Sequence, residues 1–187
     1  VKLSAQFGLK KIIAVAHDAG IREELEVVRS LPLGSSALSL VDLTTGYATF
    51  AGGGKRARGY TVLQIRRPNG DLIYDRARNA PAPVQAFPEE TIAHLNAMLN
   101  AVVTSGTGQR AYLGFAPQAG KTGTNQSYRD AWFVGYTGNS VTGVWFGNDD
   151  FTEMKKVTGG LLPAQTWPEK LDAERLKQAF RQADFIL

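Results

Sequence analysis

The chain has 187 residues, 43% of them hydrophobic and 20% charged, with a formal net charge of +4. That length suits one domain with a sizeable core, and no apolar run approaches the ~18 residues of a membrane span. With no cysteine, disulfides, thiolate nucleophiles and cysteine zinc sites are excluded. His17 and His94 lie in helix-like stretches without ligand spacing, so neither a metal nor a cofactor is expected. No cleavable signal is visible. The chain opens at Val1 rather than Met, as a processed or excised piece would. The basic residues bunch as Lys55, Arg56 and Arg58 and as Arg66 and Arg67, beside turn glycines. Stacking aromatics are not interleaved with them, so they read as solvated loops rather than a nucleic-acid patch. A mildly basic face would still suit an anionic polymer or a membrane surface.

In chain order, Leu9, Ile12, Ile13 and Ala16 recur at helical spacing up to a stop at Gly20. "SSALSLVDLTTGYATFAGGG" reads as a second helix. Ser35 or Ser36 would be its N-cap, Leu38, Val41, Leu43, Tyr47 and Phe50 its apolar face, and Gly52 to Gly54 its end. "YTVLQIRRPNGDLIYDR" predicts a hairpin at about 60–76, turning at Pro68-Asn69-Gly70-Asp71. The Pro/Ala run that follows is expected to be the least structured part. Pro88 then opens a helix over about 88–104, with acids in its first turn and Gly106 closing it. Three strands are expected over about 119–149 and an amphipathic helix over about 163–182. The order, with helices over 1–54, predicts an α+β fold: an antiparallel sheet flanked by helices.

The chemically informative stretch is "GFAPQAGKTGTNQSYRDAWFVGY". A phosphate-binding loop needs G-x-x-x-x-G-K-[ST] followed by a helix. With Lys121 fixed, the first glycine falls on Phe115, and the residues that follow are β-rich. Both requirements fail. On a strand, K-T-G-T puts Lys121 and Gly123 on one face and Thr122 and Thr124 on the other. Gly123 lets a substrate backbone lie close. An ammonium and hydroxyls beside an open strand edge suit an extended peptide ending in a carboxylate. As an ordinary surface strand the same residues would need no such neighbours.

K-T-G is also one of three motifs of penicillin-binding proteins and serine β-lactamases. "GTGQRA", "AGKTGTNQSYRDAWFVGYT", "VWFGND" and "TGGLLPAQTW", preceded by "LPLGSSALSLVDLTTGYATFAGGG", resemble in order the last part of a class A penicillin-binding transpeptidase domain. The resemblance covers essentially the whole chain. It implies peptidoglycan cross-linking by serine acyl transfer, with stem peptides and β-lactams as ligands, on the extracytoplasmic face of the bacterial membrane. It further implies that Lys121, Thr122 and Thr124 hold the substrate carboxylate. The Thr124 N–H would be half of an oxyanion hole, Gly123 would admit the substrate, and Gly106 and Thr107 would line the groove.

None of Ser4, Ser30, Ser35, Ser36, Ser39, Ser105, Ser127 and Ser140 begins an S-x-x-K or S-x-N motif. The chain therefore reads as the C-terminal half of a transpeptidase domain, inactive alone. A companion N-terminal part would carry the nucleophile and cover an otherwise exposed apolar face. A D,D-carboxypeptidase or β-lactamase relative is the hydrolytic alternative, and a catalytically dead peptidoglycan- or partner-binding module the non-enzymatic one. Asp130 reads as a strand-start residue. Trp132, Phe133, Tyr136, Trp145 and Phe146 read as core, and Trp167 as the anchor of the last helix.

Overall fold

The computed structural model describes residues 2–170. Two helices open it, α1 (Lys2–Phe7) and α2 (Leu9–Asp18), broken at Gly8, whose φ of 84° belongs to the left-handed region. The single helical run expected here is thus two. A 310 turn over Leu31–Leu33 leads to α3 (Leu40–Ala51). A hairpin of β1 (Gln64–Arg66) and β2 (Leu72–Asp75) follows, ending in the four-residue α4 (Arg76–Asn79), a turn not foreseen in the sequence. Next come α5 (Glu89–Thr104), β3 (Ala119–Thr124), β4 (Asp130–Tyr136), β5 (Val141–Gly147) and α6 (Leu162–Lys170). The expected continuation of the last helix to about 182 lies outside the described residues.

The cap of α3 is Ser39, whose hydroxyl accepts from the Asp42 N–H (3.2 Å), and not Ser35 or Ser36. Ser36 is taken by the Glu26 N–H instead. The expected apolar face is also only half right. Val41 is exposed, whereas Asp42, Thr45, Gly46 and Thr49 are buried. The reason is polar packing against irregular backbone. Asp42 accepts from the N–H groups of Arg22 (2.7 Å) and Glu23 (3.0 Å), and the Thr49 hydroxyl bridges the Ala19 carbonyl and the Ala57 N–H. Burial alone would raise the Asp42 pKa, but those N–H donors and the Arg22 guanidinium hold it below the ordinary value. The Pro/Ala connector has no helix or strand, yet Ala86 donates to the Gly54 carbonyl, so it is tied to the end of α3.

β3, β4 and β5 form one antiparallel sheet in that order, with Gly120 opposite Gly135 and Trp132 opposite Trp145. Alternation gives each face its own cover. On one, Ala119 and Tyr136 pack with Leu99 of α5 and with Tyr47 and Phe50 of α3. On the other, Phe133 and Val144 pack with Val103, Ala111, Ala164 and Trp167. Phe133 meets Trp167 edge-on at 5.6 Å, and a Cβ on Gly135 would strike that indole, so bare backbone is required there. Trp167 does anchor α6. The fold is the helix-flanked antiparallel sheet that the element order predicts.

Candidate functional site

β3 is an edge strand. The Asn125 N–H donates to the Asp130 carbonyl (3.1 Å), and facing pairs alternate along an antiparallel ladder. With Gly123 opposite Trp132 and Thr124 opposite Ala131, the backbone of Lys121 and Gly123 bonds β4. The N–H and C=O groups of Thr122 and Thr124 therefore turn to the open edge. Lys121 is exposed and donates to the Thr122 carbonyl on that edge (2.9 Å). Among the described residues it has no ion pair.

The threonine side chains leave by the opposite face. Thr122 and Thr107 share a hydroxyl–hydroxyl bond of 2.6 Å, which joins the turn after α5 to the strand. The Thr124 hydroxyl accepts from the Gly159 N–H (3.0 Å). Lys121, Thr122, Gly123, Thr124 and Thr107 thus come together. At Gly106 a Cβ would lie 2.8 Å from Val102 Cα, so the bare backbone serves the tight turn that ends α5 just before Thr107. Gly123 faces Trp132, which a Cβ would approach to 3.1 Å.

Asn125 and Asp130 close the turn from β3 to β4. Asn125 accepts from the N–H groups of Arg129 and Asp130 and donates to the Asp130 carboxylate (2.6 Å), while Trp145 donates to the other oxygen (2.9 Å). Asp130 is a strand-start anchor, as expected. Phe133 and Tyr136 are core, but Trp145 is 38% exposed and leans on Trp132 (6.2 Å) rather than in the interior. Its indole N–H, held by Asp130, explains that position. Asn125, Gly159 and Gly160 were not singled out in the sequence; the doubled glycine before α6 was the available signal. Among the described residues no three metal-ligating side chains cluster, and no helix is long and apolar enough to cross a membrane.

The K-T-G-T residues thus stand on an open strand edge of a helix-backed antiparallel sheet, with a lysine that has no ion pair among the described residues. The family profile described as "Penicillin binding protein transpeptidase domain" matches residues 6–155. The chain belongs to that family. It is 32% identical over 168 residues to penicillin-binding protein 1A of Aquifex aeolicus, covering 89% of this chain and 23% of that protein. Penicillin-binding protein 1B of Haemophilus influenzae is 32% identical over 181 residues, covering 95% of this chain and 23% of the relative. The chain therefore spans about a quarter of these relatives. PonA1 of Mycobacterium tuberculosis in complex with penicillin V superposes with a TM-score of 0.76 at 24% identity, over 85% of this chain and 48% of that one. At that identity the likeness shows the fold.

Proposed function

We propose that this chain is the substrate-binding half of a serine-type peptidoglycan D,D-transpeptidase of the class A kind. The observation that carries the reading is the outer edge of β3, where, among the described residues, Lys121 has no acidic partner and no strand pairs the Thr122 and Thr124 backbone. A stem peptide ending in D-Ala–D-Ala lies along that edge as an added strand. Lys121, Thr122 and Thr124 receive its terminal carboxylate, and Gly106 and Thr107 line the groove. A serine on the N-terminal part of the domain attacks the penultimate carbonyl. The Thr124 N–H stabilises the oxyanion, a donor typically worth ~10²–10³ in rate. The peptide bond breaks, the terminal D-Ala leaves with a proton, and an amine of a neighbouring stem takes the acyl group from the serine ester. β-Lactams acylate the same serine. The N-terminal part also covers α1 and α2, and the whole acts on the extracytoplasmic face of the membrane; this chain alone is inactive.

A fluorescent penicillin, read chain by chain on a denaturing gel, tests this. Label on a companion N-terminal part, with this chain dark, is expected. Label on this chain would demand a nucleophile other than the one inferred, and no label anywhere would make it a binding module. In the complete protein, Lys121→Ala should slow acylation by roughly 10–100-fold, the worth of one or two hydrogen bonds to a charged group.

A further inference from the structure

The segment before α6 lies against the back of β3 at van der Waals limits. A Cβ on Gly159 would run into the Trp132 and Gly123 carbonyls, and one on Gly160 into the Thr107 carbonyl. The first of these glycines gives its N–H to the Thr124 hydroxyl (3.0 Å). Its own carbonyl accepts from the Ala164 N–H (3.1 Å), so the loop is pinned at the start of α6. Trp167 and Ala164, both fully buried, hold that helix on the sheet. The loop is thus a rigid part of the fold.

A hydroxyl has one proton to give and two lone pairs. Because Thr124 Oγ1 accepts the Gly159 N–H, its proton cannot point at that amide and is left for a partner elsewhere. We propose that Gly159, with Gly160 allowing its approach, is a positioning residue that fixes the Thr124 hydroxyl as a donor to the substrate carboxylate. This rests on the carboxylate-receiving role of β3 given above. Neither glycine touches substrate. They act through Thr124, and the small size of both is what lets backbone lie on backbone at this point.

The test is a double-mutant cycle in the complete protein, following acylation by a fluorescent penicillin in the parent, Gly159→Ala, Thr124→Val and the double variant. If Gly159 acts through the hydroxyl, Gly159→Ala slows acylation about tenfold in the parent, the scale of one lost hydrogen bond. It then costs less than about twofold once Thr124 is valine. Equal losses in both backgrounds would overturn the proposal, leaving Gly159 a purely structural glycine. Should Gly159→Ala not fold, hydrogen exchange at the Gly159 amide decides. Exchange accelerated by Thr124→Val and restored by Thr124→Ser supports the contact, and exchange indifferent to both sinks it. A parent protein that takes no penicillin would instead bring down the carboxylate reading itself, and the proposal with it.

Discussion

The two ends of this chain handle apolar residues in opposite ways. The sheet of β3, β4 and β5 is covered on both faces, and Phe133, Ala131, Ala164 and Trp167 are at most 1% exposed. The opening helices carry an equally clear apolar periodicity, yet no residue of α1 or α2 is buried. Leu3, Phe7 and Val15 are 67%, 59% and 53% exposed. Periodicity reports a face that wants a partner; it does not say whether this chain contains the partner. For the sheet it does. For α1 and α2, the uncovered stripe is what the proposed N-terminal part of the domain would cover.

The largest effect expected of a single substitution lies at the covered end. Trp167→Ala removes a side chain that is 1% exposed and stacks edge-on against Phe133. It should cost about 3–5 kcal/mol, read as a lower midpoint in urea unfolding. A loss below ~1 kcal/mol would break the comparison, because α6 would then be no part of the core.

How much of this was legible in advance depended on whether the signal was local. The strands, the hairpin turn and the start of α5 at Pro88 follow from alternation, Asn-Gly chemistry and proline's fixed φ, all carried within a few residues. The break at Gly8 and the cap at Ser39 were misjudged because several glycines and serines compete locally, and tertiary bonds choose among them. Ser36 was claimed by Glu26, leaving Ser39 to cap. The burial of Asp42 and Thr49 was invisible, since their partners Arg22 and Ala19 lie 20 and 30 residues away in irregular backbone of no distinctive composition. At the site, Lys121 to Thr124 were readable as a motif. Gly159 was not, because its contact with the Thr124 hydroxyl spans 35 residues and uses only its own backbone N–H.

Asp42 is the joint between the two ends, fastening Arg22 and Glu23, just beyond α2, to the start of α3. Asp42→Ala leaves two N–H groups without their acceptor and should destabilise by about 2–3 kcal/mol at neutral pH. The pKa in the folded chain is below the ordinary 3.8. The ionised carboxylate therefore contributes in full above about pH 4, and its contribution fades as pH falls through the lower folded value. The gap between parent and variant, followed by urea unfolding from pH 7 to pH 2, should close only at the acid end. A gap that closed on the alkaline side would reverse the sign and refute the assignment.

The smallest effect is expected where the sequence pattern is strongest. Ile13→Ala, on the half-buried stripe of α2, should change the stability of this chain by less than about 1 kcal/mol, since little is lost from a position that water already reaches. In the complete domain the same change should cost about 2–4 kcal/mol, because the proposed N-terminal part would convert that stripe into core. The chain alone should also bind a hydrophobic dye that the complete domain does not. Equal costs in the two settings, or a chain that melts cooperatively and ignores the dye, would mean that α2 is a finished surface helix. The contrast between the two ends would then be a property of the fold and not of a missing partner.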